Sequence, residues 1–204
     1  MYSASSASSI LEPASATPPN PFCKTRKTEY GRELIHPEAC ANADFDSQRV
    51  LAYDQWSCQY APSKAWEGSL ETAWVEGVPG PGIGEVLLIP LDPRERIAIR
   101  SGISKSQPLF EANNRPARVR FHLLEVERIN AAEPFHFLSI RQVASFDHSL
   151  LDRNEWQYIK PKWSPEDKVE KDRGWPQFIL GIEILTVYAG TKFNDTAISE
   201  VKNH

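Results

Sequence analysis

The stretch "ARVRFHLL", residues 117–124, alternates cleanly through Leu123. Successive side chains of an extended chain point to opposite faces, so Val119, Phe121 and Leu123 share one side. Arg118, Arg120 and His122 share the other. The stretch is a strand with one face on a core and one in water. "RIAIR" (96–100) repeats the pattern with Ile97 and Ile99. "EVLLIPL" (85–91) and "FILGIEILTVY" (178–188) are nearly continuous apolar runs bounded by turn residues, and read as strands covered on both faces. "FHFLSIRQV" and "WQYIK" add further strands. No stretch sustains a 3.6-residue period, and the 16 prolines and 10 glycines fall mostly in connections. The pattern, roughly six to eight short strands, predicts an all-β fold: an antiparallel β-sandwich of the jelly-roll kind.

The rest of the chain narrows the class. Its 204 residues suit one sizeable domain, with 41% hydrophobic and 25% charged residues. The net charge of −4 and the interleaving of basic with apolar residues in "RPARVR" argue against nucleic acid as a partner. No run approaches the roughly 18 apolar residues of a membrane span. Residues 1–22, rich in Ser, Ala and Pro, read as a flexible leader without the basic start and long apolar middle of a signal peptide. Residues 23–60 form a mixed N-terminal extension, with a short helix expected in "HPEACANADFD" (36–46) and Pro37 in its first turn. The extension carries Cys23, Cys40 and Cys58, which lack the CxxC spacing of a zinc site. One disulfide in an oxidising compartment and three reduced thiols are both open. Residues 61–204 are the expected sandwich.

Chemical motifs are sparse. "GPGIG" (80–84) leads into a strand rather than from strand to helix and has no following GK[ST], so the glycines shape a turn and do not cradle a phosphate. Glu76 and Glu85 could pair for glycoside hydrolysis, which depends on a separation that sequence does not give. Neither G-x-S-x-G nor HExxH occurs. Six tryptophans are present, and aromatic faces stack on sugar rings. Trp66 and Trp74 are assigned to the core, whereas Trp163 and Trp175, in the long polar connection 160–177, are freer to meet a ligand. The connection "SGISKSQPLFEANNRP" (101–116) is too long for a tight hairpin, a length often tied to function.

Four blocks taken together go further. "ETAWVEGVPGPGIGE" (71–85), "SGISKSQPLFEANNRPARVRF" (101–121) and "LTVYAGTKFNDTAISEV" (185–201) supply T-A-W-V-E-G, G-x-G-I-G-E, N-N-R-P and a closing V-Y-x-G with D-T-x-I-S-E. In that order they resemble the F5/8 type C-like (discoidin-like, galactose-binding-fold) domain found as the translocation or glycan-binding module of secreted streptococcal NAD glycohydrolases. The resemblance runs from about residue 60 to 201 and leaves out the cysteines. It implies a jelly roll with neighbouring chain ends and a non-catalytic binding role in an exported, cell-surface or periplasmic protein. It also implies a structural calcium ion held by a D-G-D-x-x-T-like turn and an acid near the last strand. Here Glu67 and Ser69 stand where aspartates are usual, while Thr72 and Glu200 match. Ligand contact is expected from loops at one end of the sandwich: Glu76, Lys105, Asn113, Asn114 and Arg115, with Trp163 and Trp175. For Arg115 a buried ion pair with Glu76 or Glu85 is the alternative. The partner so implied is a glycan; a protein partner, as for an inhibitor or immunity-type protein, is the second reading and a glycoside hydrolase the third.

Overall fold

The structure, a computed structural model, describes residues 5–11, 25–28, 31–34, 58–90, 92, 95–130, 136–163 and 178–204. Two sheets face each other in residues 60–204 together with the first eleven residues, which form one compact unit; residues 12–59 form the other. The larger sheet runs in the order β1 (Ser6–Ala7), β5 (Val86–Ile89), β10 (Phe178–Tyr188), β7 (Arg115–Asn130), β8 (His136–Ser149). The smaller runs β4 (Trp74–Val75), β11 (Ala197–Asn203), β6 (Ile97–Ser101), β9 (Gln157–Ile159). All these strand pairs are antiparallel. The chain is an all-β sandwich.

The register explains why the alternating stretch decides the fold. Val119 lies opposite Ile184, Phe121 opposite Ile182 and Leu123 opposite Leu180, and these six side chains are buried between the sheets. Ile97 and Ile99 of β6, Ile198 and Val201 of β11 and Trp74 of β4 meet them from the smaller sheet. At roughly 25 cal/mol per Å² of apolar area, such a two-sided core is the main driving force. Trp66 packs against this core only partly buried, whereas Trp74 is fully enclosed, as its place before the turn suggested.

The solvent face of β7 is equally ordered. Asp147 of β8 accepts from Arg118 Nη2 at 2.6 Å and from Arg120 Nε at 2.8 Å. His122 Nε2 lies 2.9 Å from Glu183 Oε2 and its Nδ1 2.9 Å from Gln142 Oε1. Gly181 sits opposite His122 on this face, where a Cβ would come within 3.2 Å of the His122 Cβ. Partly exposed pairs of this kind contribute little each and specify register more than stability.

Two features differ from the sequence reading. Residues 5–11 join the sandwich instead of standing apart as a leader. Ser6 and Ala7 pair with Leu88 and Leu87. Ser9 O accepts from Trp74 Nε1 at 3.0 Å, and Leu11 N donates to Val75 O at 2.9 Å. Ser-rich composition hid this, because the segment binds through its backbone and short hydroxyls more than through apolar bulk. The connection 101–116 holds a short helix, α1 (Gln107–Ala112), with Ser106 Oγ accepting from Leu109 N as its cap. Residues 12–59 include a two-stranded hairpin, β2 (Thr25–Thr28) with β3 (Gly31–Leu34). Cys58 is exposed; Cys23, Cys40 and the helix expected at 36–46 lie outside the described residues.

Candidate functional site

Four connections meet at one end of the sandwich: 76–85 between β4 and β5, 102–114 carrying α1, 150–156 between β8 and β9, and 189–196 between β10 and β11. Most residues expected to contact a ligand lie here, but they face inward. Glu76 is fully buried. Its Oε1 accepts from Thr196 N at 3.0 Å and its Oε2 from Val78 N at 2.9 Å, tying the first connection to the fourth. Burial raises its pKa, an effect the two amide bonds oppose and nearby Asp195 and Glu85 reinforce. Thr196 Oγ1 closes the same link by donating to Pro81 O at 2.8 Å.

The glycines of "GPGIG" make this turn, as expected. Gly80, Gly82 and Gly84 all have positive φ, and a Cβ on Gly82 would fall 2.5 Å from Glu76 Cγ. No phosphate-binding geometry is involved, because the turn wraps a carboxylate.

Arg115 binds the remaining connections. Its Nε and Nη2 donate to the two carboxylate oxygens of Asp152 at 2.9 and 2.6 Å. Its Nη1 donates to Asn113 O at 3.1 Å and Ala189 O at 3.2 Å, and the guanidinium lies 5.0 Å from the Phe110 ring centre. In place of the buried ion pair expected with Glu76 or Glu85, buried Arg115 pairs with Asp152, which is itself exposed. Glu76 is occupied by amides, and Glu85 Oε2 accepts from Ser8 Oγ at 2.6 Å. Asn114 donates from its amide to Asn194 O and accepts from Gly190 N at 2.7 Å, fixing the fourth connection. Asn113 Nδ2 donates to Leu109 O at 2.9 Å, closing α1.

The other expected contacts are scattered. Lys105 is exposed and lies 3.3 Å from Glu71. Trp163 packs edge-on against Phe146, ring centres 5.0 Å apart, half-buried beside the core. Trp175 lies outside the described residues. What the loop end presents to solvent is a set the sequence reading passed over: Phe193, 40% exposed, with Lys192 Nζ 4.9 Å from its ring centre, and exposed Leu109 and Ile83 on two other connections. The signal for it was "GTKFND", a polar tip with one aromatic between two anchoring residues.

The residues implied for calcium do come together. Glu200 is buried on β11 and its Oε2 accepts from Gly68 N at 3.0 Å and Ser69 N at 3.1 Å. Burial pushes its pKa up to about 7 against the pull of these bonds, with Glu67 adding to the rise. Glu67 accepts from Thr72 Oγ1 at 2.5 Å and from Lys64 Nζ at 2.9 Å. Calcium takes six to eight converging oxygens. Here three of the four carboxylate oxygens face protein donors, and among the described residues no group of three or more acidic, His or Cys side chains gathers around a point. The donor set does not fit a calcium centre.

A two-sheet core, joined loops at one end and buried polar residues that serve those loops define a β-sandwich with a braced loop end. A family model described as the NAD glycohydrolase translocation F5/8 type C domain matches residues 41–204, and the chain belongs to that family. The match begins inside the N-terminal extension and so reaches further than the blocks from residue 60. No curated protein matches the sequence significantly. Among solved structures, the arabinofuranosyltransferase AftD from Mycobacteria matches at 11% identity over 70% of this chain and 9% of its own, TM-score 0.39. A GH29 fucosidase of Ruminococcus gnavus matches at 12% identity over 73% and 23%, TM-score 0.31. Chitosan-binding module 1 of a Paenibacillus chitosanase/glucanase matches at 8% identity over 70% and 83%, TM-score 0.32. The chain thus spans a small part of the two enzymes, and at these scores none of the three carries functional weight. No helix among the described residues is long and apolar enough to cross a membrane.

Proposed function

We propose that this chain is a non-catalytic recognition module of an exported bacterial protein and that it binds carbohydrate through the loop end of the sandwich. The observation behind this reading is how the polar groups there are used. Glu76, Asn114 and Arg115 spend their hydrogen bonds on holding four connections still, which leaves Lys192 and Phe193 outside as a pre-set tip. A rigid aromatic face meets the C–H side of a sugar ring, and a neighbouring cation and the Asn194 amide can bond its hydroxyls. Fixing the tip in advance removes part of the entropy lost on binding. Hydrolysis is disfavoured, because both oxygens of Glu76 already accept backbone bonds. The family's description as a translocation domain agrees with export.

One observation favours a protein partner as the second reading: Ile83 (53% exposed), Leu109 (37%) and Phe193 (40%) put three apolar side chains on the connections of the loop end. A glycan array decides between the two. Wild type is compared with the double variant Lys192→Ala, Phe193→Ala and with Tyr158→Ala, which alters an exposed ring on β9. Selective binding lost in the double variant and kept in Tyr158→Ala supports carbohydrate recognition at the loop end. A blank array with folded protein overturns it in favour of a protein partner.

A further inference from the structure

The turn 66–72 folds over β11 at the place where this fold would hold calcium, and three of the four carboxylate oxygens there already accept from protein donors. Two carboxylates come close there, and each has its own donors. Glu67 has the Lys64 ammonium at 2.9 Å and the Thr72 hydroxyl at 2.5 Å. Glu200 has the Gly68 and Ser69 amides at 3.0 and 3.1 Å. Gly68 reaches this geometry with φ 81°, which a side chain would resist. The direction of these groups matters. A calcium loop turns carbonyl oxygens towards the ion, whereas this one turns N–H groups towards the carboxylate, and an N–H cannot ligate a cation. Lys64 stands in the last turn of the 3-10 helix Pro62–Ala65, whose buried Pro62 and Ala65 fix its position.

We propose that this chain replaces the structural cation of its fold with its own groups. The Lys64 ammonium and the Thr72 hydroxyl brace turn 66–72 through Glu67, the Gly68 and Ser69 amides hold the turn to Glu200 of β11, and the module is closed without divalent ions. Glu67 in place of the usual aspartate fits this exchange, because its longer side chain reaches both Lys64 and Thr72. The inference is independent of which ligand the loop end binds.

Thermal melting in EDTA and in millimolar calcium chloride tests it, beside terbium luminescence with Trp66 and Trp74 as sensitisers. Equal Tm in the two buffers and no sensitised terbium emission are expected. Lys64→Ala should lower Tm by about 1–4 °C in both buffers, and Lys64→Arg should recover most of the loss. A wild-type Tm that rises with calcium and falls with EDTA, or saturable terbium emission, overturns the proposal. A Lys64→Ala Tm equal to wild type overturns the role given to Lys64. If Lys64→Ala does not fold, the wild-type comparison and terbium titration still decide the cation question.

Discussion

Arg115 and Glu76 carry the loop end. Breaking a fully buried ion pair costs about 3–5 kcal/mol; Asp152 is 40% exposed, so Arg115→Ala should cost nearer ~2–3 kcal/mol by urea unfolding. Arg115→Lys should recover only part of this, because an ammonium cannot match both Asp152 oxygens and reach two carbonyls as well. Glu76 gives a pH dependence whose sign follows from its raised pKa. Its contribution is fully present below its unfolded value near 4.5 and is lost as pH rises through the folded value. Tm should therefore decline as pH rises above about 5, less steeply in Glu76→Gln, where Glu200, pushed up to about 7, keeps part of the slope; that variant is less stable throughout because its amide meets a backbone N–H. Half-buried Asp147, held low by Arg120 and Arg118, acts in the opposite sense and only in more acidic solution. Sequence marked Glu76, Asn113, Asn114 and Arg115 as special but not their direction. Charge and position identify such residues, while burial decides whether they face a ligand or the chain.

The long strands were legible because period-2 alternation is a local property, as in 117–124, and the register of β7 with β10 merely aligned those faces. Short elements were not. Strand β1 consists of Ser6 and Ala7, and its stability comes from β5, more than seventy residues away in sequence. That segment closes the β5 edge and supplies the acceptor for the buried indole of Trp74. Removing residues 1–11 should leave that N–H unpaired and the edge open. The truncated chain should melt several degrees lower, shift its tryptophan emission to the red and scatter more light on standing. Unchanged melting and emission would return the segment to the status of a leader. Helix α1 was hidden by its length, since six residues are too few to show a period, and only the Ser106 cap marked it.

On the scale of the whole molecule, the sandwich is interrupted by residues 12–59, and both flanks of the interruption meet one residue. Leu11 N donates to Val75 O, and Val75 N donates to Tyr60 O at 3.4 Å, with Leu11 and Tyr60 both packed on the Ala73, Val75 and Ala197 cluster. Bridging the flanks with a short Gly/Ser linker should therefore give a chain that melts cooperatively as a β protein; a chain that stays unfolded by circular dichroism would show that 12–59 is needed for the core. The family and the sandwich were readable from four sequence blocks, whereas the outward-facing tip was not, because which loop residues reach solvent depends on contacts between all four connections. The most direct test of the account is a calorimetric titration of the strongest array glycan into wild type and into Lys192→Ala, Phe193→Ala. The account predicts a saturable heat for wild type and at least a tenfold loss of affinity in a variant with unchanged Tm. Equal affinity in the two proteins would contradict it.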